Sequence, residues 1–258
     1  MDFTTVTETW GLAASPEQVA MAYARYKLAG DLADGKRVLE VGCGSGMGLA
    51  YLQQRASQVV GGDRTLTLLQ AARDRLDSLA LVCLDAHELP FSSSSFDVVL
   101  MLEMVYYLSQ PERAFAECRR VLRPGGKLLV CLPNRNRPGF NRSPLSVHYP
   151  DVPELVGWFE SCGFRVRVYA GFHGFNASKR AAAVTLLRRL AVRWRLIPKS
   201  MMGKAILKRL IYRRMAILGE IRDGMAPLEK LVELDRAAPA AAGYKNLYAI
   251  GSLPPILT

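Results

Sequence analysis

The sequence predicts an α/β protein with a doubly wound, mostly parallel sheet of seven strands. Short apolar runs typical of buried strands alternate with helical patterns along most of the chain. The first run breaks into alternating glycines at Gly42, Gly44 and Gly46, and acids follow the next two runs, at Asp63 and Asp85. Open sheets of this kind bind ligands at the carboxyl ends of their strands. We therefore expect a ligand site where the glycines and the acids meet.

The remaining elements follow in the order that such a sheet requires. We expect strands at residues 38–41, 59–63, 79–83, 96–102, 127–130, 164–169 and 246–251. We expect helices from the glycine turn to residue 55 and at 65–77, 111–121 and 153–163. Another helix, capped by Ser15, precedes the first strand. It either lies over the glycine turn or packs on one side of the sheet, and Tyr23 and Tyr26 suit both positions.

The spacing of the glycines narrows the ligand class. Glycine permits a positive φ and lets a ligand lie on the main chain. Free N–H groups at the following helix start favour an anionic or polar group. A dinucleotide fingerprint, Gly-x-Gly-x-x-Gly, requires a third glycine where this chain has Met47. An NAD-dependent oxidoreductase is therefore the less favoured alternative.

Composition limits the number of domains and the classes of protein that the sequence can encode. The 258 residues suit one domain, and half of them are hydrophobic, so a full core can form. The five cysteines show neither pairing nor metal-ligand spacing, which suits a reducing compartment and predicts no metal site. The sequence shows no signal-peptide pattern and no apolar run as long as a membrane span. We expect a soluble, cytoplasmic protein.

The run Glu40–Gly46 resembles the first motif of class I S-adenosylmethionine (SAM) dependent methyltransferases of the small-molecule type. The motif is Gly-x-Gly-x-Gly after an acidic strand residue, and Asp63 and the Asp85–Phe91 loop follow in the family's order. The resemblance implies a Rossmann-like methyltransferase fold whose last strand is antiparallel, between the fifth and the sixth. It also implies SAM as the methyl donor.

The resemblance assigns a cofactor role to ten positions: Glu40, Gly42, Cys43, Gly44, Gly46, Asp63, Arg64, Asp85, Ala86 and Glu103. It implies that Glu40 lies near the amino group of the methionine portion and that the glycines form the bed for that portion. Asp63 would accept the ribose hydroxyls, while Asp85 and Ala86 would bind the adenine. His87 is expected to be a polar loop residue.

Three residues are candidates for catalysis. Glu103 follows the central strand, where many family members have a histidine-containing run, and it is our first candidate for a general base. Its alternative role is hydrogen bonding to the cofactor or the loop. His148 is the second candidate, because it lies at the end of a long loop, 134–146, of a kind that often covers a site. Tyr106 either lines the acceptor pocket or packs in the core.

A basic helical insertion is predicted before the last strand. Twelve of the 34 Lys and Arg residues lie between Lys179 and Arg214, a stretch without an acid. We expect helices at 178–196 and 201–221. The insertion is a lid or dimer contact, a surface for anionic membrane or a lipid-linked substrate, an RNA-binding face, or a lid over an anionic small substrate. Few aromatics in the segment make nucleic acid the weaker alternative.

These observations predict a single methyltransferase domain. Its parts are a helical cap at 1–34, a cofactor-binding core at 35–176, the insertion at 177–244, and a last strand and tail at 245–258. The predicted reaction is methyl transfer from SAM to O, N or C of a small-metabolite, lipid-linked or glycan-type acceptor. The alternatives are an RNA-binding or RNA-modifying SAM protein and the oxidoreductase. We expect a monomer or homodimer, with possible peripheral membrane contact through 179–214.

Overall fold

The computed structural model describes residues 3–5, 8–76, 78–137, 139–173, 216–235 and 240–255. The strands are β1 (Ala13–Ala14), β2 (Arg37–Val41), β3 (Gln58–Asp63), β4 (Ala80–Cys83), β5 (Phe96–Leu102), β6 (Leu122–Pro133), β7 (Arg165–His173), β8 (Ala216–Ile217), β9 (Val232–Glu233) and β10 (Tyr244–Ser252). The helices are α1 (Pro16–Ala33), α2 (Leu49–Gln53), α3 (Leu66–Arg73), α4 (Pro111–Val121) and α5 (Val152–Ser161).

The main sheet has eight strands in the order β4-β3-β2-β5-β6-β10-β7-β9. The strands from β4 to β6 are parallel, and β10 runs antiparallel between β6 and β7. The doubly wound sheet and its seven predicted strands are therefore confirmed. The eighth strand, β9, was not predicted. It covers the open edge of β7, where Arg167 pairs with Glu233 through two hydrogen bonds of 2.8 and 2.5 Å.

The end of the predicted basic insertion is not helical. The prediction of a helix through residue 221 is wrong at its end, because Ala216–Ile217 form β8 and pair with β1 near the amino terminus. Leu218 and Ile221 are then buried against the domain. The rest of the two predicted helices, with the basic residues from Lys179 to Arg214, lies outside the described residues. No helix in the described part of the chain has the length and apolarity needed to span a membrane.

The central strand β5 is buried on both faces. Its side chains alternate between two cores, with Val99 and Met101 in one layer and Val98 and Leu100 in the other. A parallel strand covered by helices on both sides is apolar throughout, which is why it appears in the sequence as a continuous hydrophobic run. The strand ends, not the strand faces, are therefore the places where polar side chains can gather.

Helix α1 lies over the glycine turn that follows β2. It begins at a capping box in which Ser15 and Gln18 exchange side-chain and backbone hydrogen bonds. About two turns beyond Gln18, the Tyr26 ring packs against Gly48, where a Cβ atom would overlap with the ring. Tyr23 instead faces the segment after β8, and its hydroxyl accepts the N–H of Gly224 at 3.0 Å. The position of α1 therefore depends on a missing side chain at Gly48.

This contact predicts opposite effects for two glycine substitutions. Gly48→Ala should lower the free energy of unfolding by about 1–3 kcal/mol, because the new methyl group collides with Tyr26. Gly157→Ala is the matched control, since Gly157 lies inside α5 with nothing within 4 Å of the added Cβ. It should raise the free energy of unfolding by about 0.5–1 kcal/mol. Urea denaturation measures both, and equal effects would contradict the packing.

Candidate active site

The carboxyl ends of β2, β3, β5 and β6 open into one cavity of about 340 Å³. Helix α1 and the loop between β6 and α5 line the other sides. Eight of the ten residues with a predicted cofactor role line it: Gly42, Cys43, Gly44, Asp63, Arg64, Asp85, Ala86 and Glu103. Glu40 and Gly46 do not. The cavity therefore joins predicted residues that are far apart in the chain, from Gly42 to Glu103.

The glycine turn has the expected shape, and the N–H groups of its first three residues are engaged within the protein. Gly42 and Gly44 have φ of 78° and 56°, which glycine adopts without strain. However, the N–H groups of Gly42 and Cys43 both donate to the Gly62 carbonyl, at 2.7 and 3.0 Å. The Gly44 N–H donates to Asp63 at 2.9 Å. At these three positions the turn therefore offers bare Cα surface to a ligand, because the N–H groups are already engaged within the protein.

Gly46 has a packing role. An added Cβ at Gly46 would lie 2.9 Å from Leu76 and 3.1 Å from Ala72, on and beyond α3. Its φ of 74° also requires glycine. The third glycine of the motif therefore lets α3 approach the turn, and it faces away from the cavity.

Asp63 joins the end of β3 to the glycine turn. One carboxylate oxygen accepts the Gly44 N–H, and the other accepts the Thr65 N–H at 2.8 Å. Burial raises the pKa of Asp63, and these N–H donors offset part of the rise. Each oxygen keeps a second lone pair, so the carboxylate can still accept two hydroxyl donors from the cavity. Thr65 begins α3 as predicted, although its side chain makes no capping hydrogen bond.

Asp85 is held by His87, which the sequence predicts only to be a polar loop residue. The His87 N–H and the His87 ring Nδ1 both contact Oδ1 of Asp85, at 2.9 and 2.6 Å. Arg64 lies 3.5 Å from Oδ2. Burial acts to raise the pKa of Asp85, but the His87 hydrogen bonds and the Arg64 charge hold it below its ordinary value. Asp85 is therefore an oriented, ionised acceptor at the cavity wall.

Glu40 lies behind Tyr26 and does not line the cavity. The Tyr26 hydroxyl donates to Oε1 of Glu40 at 2.8 Å. Oε2 is buried and has no hydrogen-bond partner within the described ranges. Burial raises the pKa of Glu40 to about 7, and the hydrogen bond from Tyr26 and the charge of Arg25 offset only part of that rise.

Arg25 is a buried cation of the site, and it is not among the residues that the sequence predicts there. The residue is 5% exposed, and its side chain lines the cavity. One terminal nitrogen contacts Glu8 at 2.6 Å, and the other lies 3.7 Å from Glu103. Its Nε is buried without a partner among the described residues. Helical spacing from Gln18, two turns earlier and also at the cavity, was the one sequence feature that pointed to it.

Glu103 projects into the cavity from a strained backbone position. Its φ is 58°, in the left-handed region that non-glycine residues rarely adopt. Such strain is common at functional sites. Its side chain accepts from the Tyr106 hydroxyl at 3.3 Å and from the Asn246 amide at 3.2 Å. Burial raises the pKa of Glu103, and Arg25 opposes the rise.

His148 lies outside the cavity. Its ring contacts Glu154 at 3.2 Å and packs edge-on against Trp158, on the exposed side of the loop. The next residue, Tyr149, does line the cavity and stacks on Tyr106 with ring centroids 4.4 Å apart. The structure thus does not bring His148 to the other candidates, because consecutive residues of an extended loop point to opposite sides. Within the described ranges, no group of three or more potential ligands could hold a metal ion.

Comparison with known proteins identifies a methyltransferase domain in this chain. Residues 39–130 match a family model described as a methyltransferase domain. The chain carries a SAM-dependent methyltransferase domain with the class I fold. The methyltransferase assignment replaces the oxidoreductase alternative, and SAM is the methyl donor that it requires.

This chain matches two curated relatives over only part of their own length. A ubiquinone biosynthesis O-methyltransferase of Coxiella burnetii is 29% identical over 54% of this chain and 68% of its own. A probable SAM-dependent methyltransferase of Mycolicibacterium smegmatis is 34% identical over 54% of this chain and 56% of its own. A Thermotoga maritima structure described as a SAM-dependent methyltransferase, possible histamine N-methyltransferase, has a TM-score of 0.59 at 16% identity, covering 92% and 91% of the two chains. That likeness shows the fold.

The residues of the methyltransferase cavity fit SAM. A Cβ atom at Gly42 would lie 2.8 Å from Met104, so the turn and the β5 end form a narrow cradle. Asp63 and Asp85 supply carboxylates of the kind that bind hydroxyl and amine groups. Arg25, a buried cation that lines the cavity, suits the carboxylate of an amino acid.

The raised pKa of Glu40 predicts how the stability of the methyltransferase depends on pH. The folded carboxyl keeps its proton up to about pH 7, whereas its ordinary pKa is 4.5. The folded state therefore binds more protons than the unfolded state in this window, and stability falls as pH rises through it. Glu40→Gln should remove about 3 kcal/mol of that fall.

Urea unfolding of the ligand-free protein across this pH window measures the effect. Asp63 and Glu103 also have raised pKa values, so the slope should shrink but not vanish. Glu88→Gln is the matched control, because the Glu88 side chain is 84% exposed. If Glu40→Gln and Glu88→Gln gave the same slope as the unchanged protein, the buried carboxyl would not carry the pH dependence.

Proposed function

We propose that this methyltransferase transfers a methyl group from SAM to a hydroxyl oxygen of a small-molecule acceptor, with Glu103 as the general base. The observation that carries the proposal is the continuity of the cavity. One wall has the glycine turn and two aspartates, and the same space reaches Glu103 and Tyr106. The cavity volume lies in the range of small-molecule sites. The relative named as an O-methyltransferase supports oxygen as the acceptor atom.

The first half of the cavity would hold the cofactor. Asp63 accepts the ribose hydroxyls with the lone pairs that Gly44 and Thr65 leave free. Asp85, which His87 orients, would accept a hydrogen bond from the amine of the adenine, and the Ala86 main chain would lie beside the ring. Arg25 holds the carboxylate of the methionine portion, because it is buried, cationic and short of one partner.

The second half of the cavity would bind the acceptor and remove the proton of its hydroxyl. SAM, when bound, supplies a methyl group on a sulfonium whose carbon–sulfur bond breaks as the new oxygen–carbon bond forms. Glu103 takes the proton of the acceptor hydroxyl, and this proton then passes from Glu103 to solvent. Burial makes Glu103 a stronger base than an exposed carboxylate, since it raises the pKa. Tyr106 and Asn246 fix the two carboxylate oxygens, so the base is oriented before the acceptor binds.

The other predicted partners depend on a different part of the chain. The basic stretch from Lys179 to Arg214 is the basis for three predicted partners: a lipid-linked acceptor, an anionic membrane and RNA. This stretch lies outside the described residues. A small-molecule acceptor needs only the cavity. The proposal therefore takes the small molecule as the acceptor class.

The cofactor half is tested with Asp63→Asn. The amide cannot accept from both the Gly44 and the Thr65 N–H groups and also bind two hydroxyls, so affinity for SAM should fall about 10–100-fold. Isothermal titration calorimetry measures the affinity, and circular dichroism checks the fold. Asp31→Asn is the control, because Asp31 is exposed on α1 in a pair with Lys27. Unchanged affinity in folded Asp63→Asn would remove Asp63 from the site.

The base is tested with Glu103→Gln. The assay offers a panel of small hydroxylated compounds as acceptors and measures methyl transfer as the amount of demethylated cofactor released. The variant should lose about 10²–10⁴-fold in kcat and lose the acidic limb of the pH profile, because a neutral amide cannot accept the proton. Its Kd for SAM should stay within about threefold. A loss of SAM affinity with unchanged kcat would instead assign Glu103 to the cofactor.

A further inference from the structure

We infer that Glu8 binds the ammonium group of the methionine portion of SAM, so that Glu8 and Arg25 together hold both charges of this zwitterion. The inference rests on the proposed function, which places the methionine carboxylate at Arg25. It adds a residue of the amino-terminal segment to the cofactor site. Three observations support it: the position of Glu8 in the cavity, its pairing with Arg25, and the roles of the other acids there.

Glu8 reaches the cavity from the segment that precedes helix α1. It lines the cavity together with Arg25 and with Gly42 of the glycine turn. The chain is anchored both before and after Glu8. Before it, the Phe3 N–H donates to the Thr65 hydroxyl at 3.4 Å, and after it, strand β1 pairs with β8. The carboxylate of Glu8 is therefore held at the side of the cavity where α1 and the glycine turn meet.

The Glu8 carboxylate pairs with Arg25 and keeps the capacity to accept from a ligand. Oε2 of Glu8 accepts from one terminal nitrogen of Arg25 at 2.6 Å. Oε1 accepts no hydrogen bond from the described residues. An ionised carboxylate has about four lone-pair sites, so it can accept from an ammonium group while it stays bonded to Arg25. The side chain is 38% exposed, which leaves the carboxylate accessible to that ligand.

The pair formed by Glu8 and Arg25 is complementary to an α-amino acid. The ammonium and carboxylate of an amino acid are joined through one Cα, so they lie as close together as the two side-chain groups. Two such pairs of opposite charges attract when each charge lies beside its opposite. Within the described residues, the Arg25 guanidinium donates one hydrogen bond, to Glu8, and its Nη1 lies 3.7 Å from Glu103. Its other donors can therefore reach the methionine carboxylate.

The charges around Arg25 favour a second cation beside Glu8. Two carboxylates flank this one guanidinium, since Glu8 and Glu103 lie 2.6 and 3.7 Å from its terminal nitrogens. Burial raises the pKa of Glu103, the charges of Arg25 and Arg137 oppose the rise, and the charge of Glu8 adds to it. The two carboxylates thus repel each other across Arg25. An ammonium group at Glu8 reduces that repulsion and gains a charge-assisted hydrogen bond.

The other acids of the cavity have different roles in the proposed function. Asp63 and Asp85 face the ribose and the adenine, and Glu103 is the base. Glu40, which the motif resemblance places near the amino group, does not line the cavity. Among the described residues, Glu8 is therefore the acid at the cavity wall that remains for the ammonium group.

The test uses four nucleosides that differ at the amino-acid end. They are the demethylated cofactor, its deaminated form with only the carboxylate, its decarboxylated form with only the ammonium, and 5′-methylthioadenosine with neither group. Isothermal titration calorimetry on the full chain gives the Kd of each. The unchanged protein should bind the demethylated cofactor about tenfold or more tightly than either form that lacks one charge, because each loss leaves Glu8 or Arg25 without its ligand group.

Glu8→Gln removes the charge of the side chain and keeps its size. It should weaken the two ligands that carry an ammonium about tenfold and leave the other two within about twofold. Glu17→Gln is the matched control. The Glu17 side chain is 40% exposed and also forms an ion pair, with Lys245, but Glu17 does not line the cavity. The control should leave all four affinities unchanged.

A purely structural role for Glu8 would give a different pattern. If Glu8 only positions Arg25, Glu8→Gln will weaken the deaminated ligand as much as the demethylated cofactor, and the ammonium assignment is wrong. If the variant changes no affinity, the assignment is also wrong. Circular dichroism checks the fold. If Glu8→Gln folds poorly, Glu8→Asp replaces it, since the shorter side chain keeps the charge and should still weaken the ammonium ligands selectively.

Failure of this inference differs from failure of the proposed function. If the unchanged protein binds neither SAM nor the demethylated cofactor, the proposed function fails and the inference fails with it. If the protein binds both, and the Glu8 variants show no selective loss for ligands with an ammonium, the cofactor assignment stands and only the role of Glu8 is wrong.

Discussion

The hydrogen bonds of the Asp63 carboxylate hold together the part of the molecule on which the site depends. They tie the end of β3 to Gly44 in the glycine turn and to Thr65 at the start of α3. Three segments that each end at the same edge of the sheet thus share one buried acid. Because both oxygens are engaged by main-chain donors, the acid is fixed before any ligand binds. The strand ends acquire a defined geometry that neither a free turn nor an exposed aspartate would have.

A second group of polar residues closes the site from above. Helix α1 places Arg25 and Tyr26 side by side, and each reaches an acid from a different strand end, Glu103 and Glu40. Glu8 completes the pairing from the amino-terminal segment. Buried charges of this kind are costly unless they are paired, so the arrangement constrains where α1 can lie. The position of α1 and the chemistry of the cavity are consequently set together.

The two halves of the cavity differ in how they are built. The cofactor half is main chain and carboxylates, contributed by regular strands and tight turns. The acceptor half is aromatic rings and guanidinium groups, contributed by the loop between β6 and α5, by the segment after β5 and by the amino-terminal segment. Loops vary more freely than the scaffold beneath them, so a shared cofactor half can serve different acceptors. This division agrees with the match of the family model to residues 39–130, which contain the glycine turn, Asp63 and Asp85.

The sequence by itself determined the doubly wound sheet, because strand periodicity and glycine chemistry are local. The antiparallel last strand and the ten cofactor positions came from the ordered motifs that resemble a known family, and eight of those ten positions line the cavity. Only the tertiary structure decided that Glu40 lies behind Tyr26, that Gly46 packs on α3 and that Arg25 reaches the cavity. Only the structure separated His148, which faces outward, from Tyr149. These facts depend on which face of a helix or loop meets a distant strand end, and that choice is made by packing between segments far apart in the chain.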